Sequence, residues 1–181
     1  MVLVRSEDEG VAEAFVCAYE DHPDVRVEAA VFLGILGDDR GAAELVAWPA
    51  PTGDLTVRDN LYLRALVHLG PGIGADLSGW PDMDSALLRV ARVAIGQGDA
   101  DALREDIPGL ASGAIVAAHR YGEGLLPEDE AQVPVRLLEL AVRSLGDATT
   151  IAGVVAALES ADNEGKAYML DPVTRRLRAL L

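Results

Sequence analysis

The sequence predicts an all-α chain built as a stack of helix pairs, and three observations carry that prediction. One pattern is written twice. Val25-Arg26 leads through an apolar run to Leu36-Gly37 and closes at Trp48-Pro49; Val57-Arg58 leads to Leu69-Gly70 and closes at Trp80-Pro81. The landmarks recur at offsets of 32 (25 to 57), 33 (37 to 70) and 32 (48 to 80) residues, and a near-constant period of that length marks a repeat architecture. Apolar residues return every three or four positions, the spacing of a helix face, and no stretch alternates long enough for a strand. Half of the residues are hydrophobic but only 4% are aromatic, a mixture that suits closely packed helices better than an aromatic-rich sandwich.

Taken in order, residues 9–20 read as a first helix with Val11, Ala14, Phe15, Ala18 and Tyr19 on one face. Glu7, Asp8 and Glu9 stand at its start, where the helix dipole favours negative charge. His22-Pro23 ends it, because proline biases the residue before it away from helix. Asp24 is the expected N-cap of the next helix, 25–36. That helix is apolar on most sides, as expected of one sandwiched between neighbours, and Gly37 supplies a left-handed end. A short helix over 41–47 and a Pro/Gly loop over 49–56 complete the unit.

The second unit repeats the plan with a helix over 57–69, a Gly-Pro-Gly turn at 70–72 and a short helix reaching Gly79. A third, more divergent unit has a helix over 84–95, ends at Gly98-Asp99, and passes through Ala102-Leu103 to a break at Ile107-Pro108. Beyond it, 110–121 reads as a helix closed by Gly122 and Gly124. Leu126-Pro127 is a break, with Glu128, Asp129 and Glu130 as an acidic cap. Val135-Arg136 to Leu145-Gly146 restores the first pattern, and 148–158 follows as a helix. Residues 162–165 read as a loop, and Asp171-Pro172 as the cap and first position of the last helix. Domain organisation is expected to be a single unit over 1–181, with regular repeats over about 23–105 and divergent repeats with a C-terminal cap over about 106–181.

Composition bounds the function. Thirty Asp and Glu face fifteen Lys and Arg, a net charge of −15, so phosphate backbones and anionic lipid are repelled over most of the exterior. No apolar run approaches the roughly 18 residues of a membrane span, and Met1 to Arg5 passes straight into Ser6-Glu7-Asp8-Glu9 without a signal-peptide core. The single cysteine, Cys17, sits among Phe15, Val16, Ala18 and Tyr19 and is expected to be buried as a small hydrophobe. These features predict a cytoplasmic protein that engages neither nucleic acid nor membrane.

Three segments thus read Val-Arg, an apolar stretch, then Leu-Gly: 25–37, 57–70 and 135–146, with Gly-Asp at 37–38 and 146–147. This resembles the short HEAT-like repeats first described in phycobilisome lyases. The resemblance implies a right-handed α-solenoid of about five HEAT-like helix pairs, each burying its apolar face on its neighbours. It says little about function, because the repeat serves many unrelated roles. The Trp-Pro endings are not a usual family feature, and the glycine landmarks close up to 24 residues at 98, 122 and 146.

Candidate site residues are few. Trp48 and Trp80 fall at matching points one repeat apart, either as caps of their short helices or as anchors for a partner. Acid pairs recur in predicted loops: Asp38-Asp39, Asp82 with Asp84, Asp99 with Asp101, and Glu105-Asp106. As single groups they read as solvated helix caps; stacked on one edge they would form an acidic ridge for basic side chains of a partner. The calcium-loop pattern is missing. His22, His68 and His119 lack metal-ligand spacing, with no His-Glu dipeptide. Gly70-Pro71-Gly72-Ile73-Gly74 reads as a turn, not a phosphate cradle. Arg175, Arg176 and Arg178 are expected to pair with the acidic body or to hold a small anion. No catalytic residue, metal or cofactor is assigned. The leading expectation is a non-catalytic protein–protein interaction or scaffold module using an acidic repeat edge. The alternatives are a HEAT-like enzyme of DNA glycosylase or lyase type, and an acidic regulator that mimics nucleic acid.

Overall fold

The computed structural model describes residues 5–81, 85–161 and 168–181. Among these every regular element is helical and none is a strand. The chain divides into two compact units, Met1–Gly98 and Asp99–Leu181.

The first unit holds α1 (Arg5–Asp21), α2 (Arg26–Ile35), α3 (Ala42–Val46), α4 (Val57–Leu69) and α5 (Ala86–Ala94). Helix α2 lies between α1 and α4, and α4 between α2 and α5, as the apolar character of α2 requires. Ala29, Ala30, Val31 and Leu33 of α2 and Tyr62, Leu63, Ala65 and Leu66 of α4 form the core. Two glycines let backbones approach. A Cβ on Gly34 would come 2.8 Å from the Ala65 Cβ, and one on Gly41 would come 2.5 Å from the Ala30 Cβ. Helix α4 begins with a capping box, Thr56 and Asp59 each bonding the other's backbone N–H, which satisfies two amides that have no partner inside the helix. Gly37 and Gly70 both have positive φ, 80° and 69°, the conformation a side chain resists.

Several expectations for this unit are corrected. Asp24 does not cap α2. The chain first makes a 3-10 turn over Pro23–Val25, and Val25 precedes α2 without a side-chain cap. Cys17 is exposed, not buried. The buried face of α1 is rotated by about one residue and is led by Val16, while Val11 and Ala14 face solvent. The second short helix is replaced by a 3-10 turn at Gly70–Ile73 and irregular chain to Trp80. Ala75 and Leu77 are buried there. The Gln97 side chain donates to the Ala75 carbonyl and accepts from the Leu77 N–H, both at 2.9 Å. One amide side chain thus satisfies backbone groups that a helix would have satisfied itself. Ser85 caps α5 through its hydroxyl, and Gly96, not Gly98, takes the left-handed position.

The second unit holds α6 (Ala100–Gly122), α7 (Glu128–Leu145), α8 (Ala148–Ala161) and α9 (Asp171–Arg178). The expected break at Pro108 does not occur, and α6 runs through it for 23 residues. An internal proline costs a helix about 3 kcal/mol. Against that, α6 buries Leu103, Ile107, Ala111, Ala114 and Ala118 in one unbroken stripe, which a break would misalign. Helix α7 likewise continues through Pro134, so it starts earlier than residue 135. Glu128, Asp129 and Glu130 occupy its first turn, as expected from the dipole. Gly146 ends it with φ 64°, positive as at Gly37 and Gly70. A 3-10 turn over Tyr168–Leu170 precedes α9, so Asp171 is the first helical residue and not the cap. Leu170, Val173 and Leu177 seat α9 in the core. Residues 162–165, expected as a loop, lie outside the described residues.

Candidate functional site

The most elaborate constellation of side chains lies in the first unit and is centred on Tyr62. The Trp48 and Tyr62 rings stack with centroids 4.7 Å apart and planes 10° apart. The other face of Tyr62 meets Trp80 at 5.4 Å and 21°. The Arg58 guanidinium lies 4.8 Å from the Trp48 ring centroid and reaches Glu28 at 2.9 Å. The two tryptophans therefore flank one ring. Trp48 is half-buried, and Trp80 is 4% exposed. Trp80 is too buried to offer a face to a partner, and Tyr62 and Arg58 both lie against the half-buried Trp48 ring.

Asp59 ties this stack to the start of α4. Its carboxylate accepts from the Trp48 indole N–H at 3.2 Å, the Thr56 N–H at 2.9 Å and the Thr56 hydroxyl at 2.6 Å. Burial alone would raise the Asp59 pKa, but the hydrogen bonds from Thr56 and Trp48 and the Arg58 charge outweigh it and hold it below the ordinary value. Burial, helped by the Asp76 charge, pushes Tyr62 up to about 12, so its hydroxyl stays protonated at neutral pH. Two arginines repeat one arrangement. Arg26 lies 4.8 Å from the Tyr19 ring centroid, as Arg58 does over Trp48. The paired Val-Arg landmark thus marks a guanidinium resting on an aromatic ring of the preceding segment.

The acidic candidates divide into two kinds. Asp38 accepts from the Arg40 backbone and grips its guanidinium; that hydrogen bonding holds its pKa down. Asp99 caps α6 by accepting from the N–H groups of Asp101 and Ala102, each at 3.0 Å. These two are structural caps. Their neighbours Asp39 and Asp101 are exposed, and Asp101 pairs with Arg104 while its side chain stays 89% accessible. Asp101, Glu105 and Asp106 lie within α6, not in a loop. Asp38 and Asp39 belong to the first unit, and Asp99 and Asp101 to the second. Asp82 and Asp84 lie outside the described residues.

The remaining candidates have local roles. His22 is exposed in the connection after α1, and His119 places Nε2 3.1 Å from the Ala161 carbonyl, so that nitrogen donates. Among the described residues no three His, Cys, Asp or Glu side chains gather as a metal ion would need, and no helix is long and apolar enough to cross a membrane. Arg176 makes a two-pronged pair with the buried Glu139, at 2.7 and 2.8 Å, and Arg178 pairs with Glu159. The basic run of α9 thus meets acids of its own unit. A shallow apolar cleft of about 290 Å³ lies between α6 and α8, lined by Ile107, Pro108, Ala111, Gly153, Val154 and Ala157.

Sequence reasoning missed Tyr62, Asp59 and Gln97. Thr56-x-x-Asp59 carries a capping-box signal with Asp in place of Glu. Nothing local marks Tyr62 or Gln97. No protein-family model matches this chain, and the comparisons with curated proteins and solved structures likewise give no match.

Proposed function

We propose that this chain is a non-catalytic interaction module, a HEAT-like right-handed helical stack that engages a basic surface of another cytoplasmic protein. Two local geometries support the repeat reading. Arg26 and Arg58 rest on rings in the same way, and Gly37, Gly70 and Gly146 follow three helices with positive φ. The observation that carries the functional reading is the division of labour within the acid pairs. Asp38 and Asp99 are spent on fixing backbone, while Asp39 and Asp101 stand exposed beside them. In a chain of net charge −15, such carboxylates attract and orient a cationic partner, and do so less as salt rises.

The test is affinity capture with the tagged chain from its native lysate, washed at low and high salt. The charge-reversed control is Asp39→Lys with Asp101→Lys, leaving the caps Asp38 and Asp99 intact. A specific protein retained at low salt and lost from the control supports the reading. Capture of no partner at either salt, or equal capture by the control, sinks it.

A further inference from the structure

Helices α1 and α2 form an antiparallel hairpin, since Phe15 stacks on Phe32 with centroids 4.8 Å apart while the Arg26 side chain reaches the Tyr19 carbonyl. One helical turn beyond the ring stack, that register brings Val11 level with Leu36. Val11 is 48% exposed, Phe32 37% and Leu36 39%, and Phe15 is half-buried beside them. Four apolar side chains in contiguous register therefore face outward from two adjacent helices, where scattered single residues would call for no explanation. Exposed carboxylates stand near the hairpin turn, Asp21 and Asp24, and Asp39, also exposed, follows Leu36 in the chain. The arginines nearby are already engaged, Arg26 with Tyr19 and Glu44 and Arg40 with Asp38.

We infer that the α1–α2 face is a docking surface for a basic amphipathic helix of a partner protein. The apolar side chains of that helix, spaced at i, i+3 and i+4, cover Val11, Phe15, Phe32 and Leu36, and its Lys and Arg residues meet Asp21, Asp24 and Asp39. Charge selects this occupant. A second copy of the chain brings the same net −15 to the face and is repelled. The inference deepens the interaction-module reading and rests on it for the sign of the partner's charge.

The test measures binding of a fluorescent synthetic Leu/Lys amphipathic helix of about 18 residues to the full chain by anisotropy. Two control peptides are used, one with Glu in place of Lys and one with the Leu positions scrambled. The designed helix should bind at least about tenfold more tightly than either control, and Val11→Ser with Leu36→Ser should weaken it by about tenfold. Val57→Ser, at an exposed residue elsewhere in the unit, should leave binding unchanged. If the double variant unfolds, the single variants carry the same comparison. Equal binding of the scrambled basic peptide, or indifference to the variants, overturns the inference. So does sedimentation showing a dimer that Val11→Ser with Leu36→Ser dissociates. A native partner released by the Asp39 and Asp101 reversals yet retained by the strip variant overturns the strip alone and leaves the interaction reading standing. Specific peptide binding without any native partner supports the strip and removes only the broader reading.

Discussion

Replacing Asp59 by alanine tests the junction on which the Trp48–Tyr62–Trp80 stack depends. The substitution removes the N3 half of the capping box and leaves the N-cap Thr56 in place. It also leaves the Trp48 indole N–H and the Thr56 N–H without the acceptor they share, and an unsatisfied buried donor costs about 1–3 kcal/mol. Because both donors are only part-buried, water recovers some of that loss, and the expected total is about 2–3 kcal/mol. The assay is urea unfolding followed by tryptophan emission, which should lose about 1 M in midpoint for a slope of 1–3 kcal/mol per M. Asp59→Asn keeps an acceptor and should lose about half as much. The acid limb supplies an independent check. The folded Asp59 pKa is lowered, so its contribution is present above the unfolded carboxylate pKa and lost as pH falls through the lower folded value. Wild type should therefore lose more stability on acidification than Asp59→Asn. A loss below about 0.5 kcal/mol in Asp59→Ala, or identical acid limbs, would refute the reasoning.

Two further outcomes follow from the same geometry. Gly34→Ala forces a Cβ to within 2.8 Å of Ala65 and should destabilise by about 1–3 kcal/mol, whereas Gly153→Ala, with nothing within 4 Å of the added carbon, should stabilise by about 0.5–1 kcal/mol; thermal unfolding of both variants decides. Arg176→Ala leaves Glu139 with Arg143 at 3.5 Å and should cost about 1 kcal/mol, since the arginine is half exposed and its pair is screened; adding Glu139→Gln should recover part of that loss in the same melts.

The legible part of the fold was the part that local chemistry decides. The sequence predicts helix 57–69 at its observed bounds because apolar spacing, a preceding loop and a following glycine all agree there. The positive-φ glycines at 37, 70 and 146 were marked by the Leu-Gly landmarks. The illegible part depends on contacts from afar. In the non-helical stretch 74–80, Ala75 and Leu77 find their backbone partner in Gln97, some twenty positions on. Pro108 reads as a break because its cost is local, while the buried stripe that outweighs it runs from Leu103 to Ala118. The same holds for the site. The capping role of Asp38 and Asp99 is written in their immediate neighbours. The register of Trp48 and Trp80 was visible, but the ring between them was not, since Tyr62 lies 14 residues from one and 18 from the other.

The ion pairs described within each unit share one chemistry on the cationic side. Arg26, Arg40, Arg58, Arg104, Arg143, Arg176 and Arg178 are all guanidinium groups, and guanidinium does not release its proton in any ordinary buffer. The pairs can therefore be opened by titration only through their carboxylates. Tyr62, the ring at the centre of the stack, also stays protonated well into alkali. Across these contacts the molecule answers to acid and is nearly deaf to base.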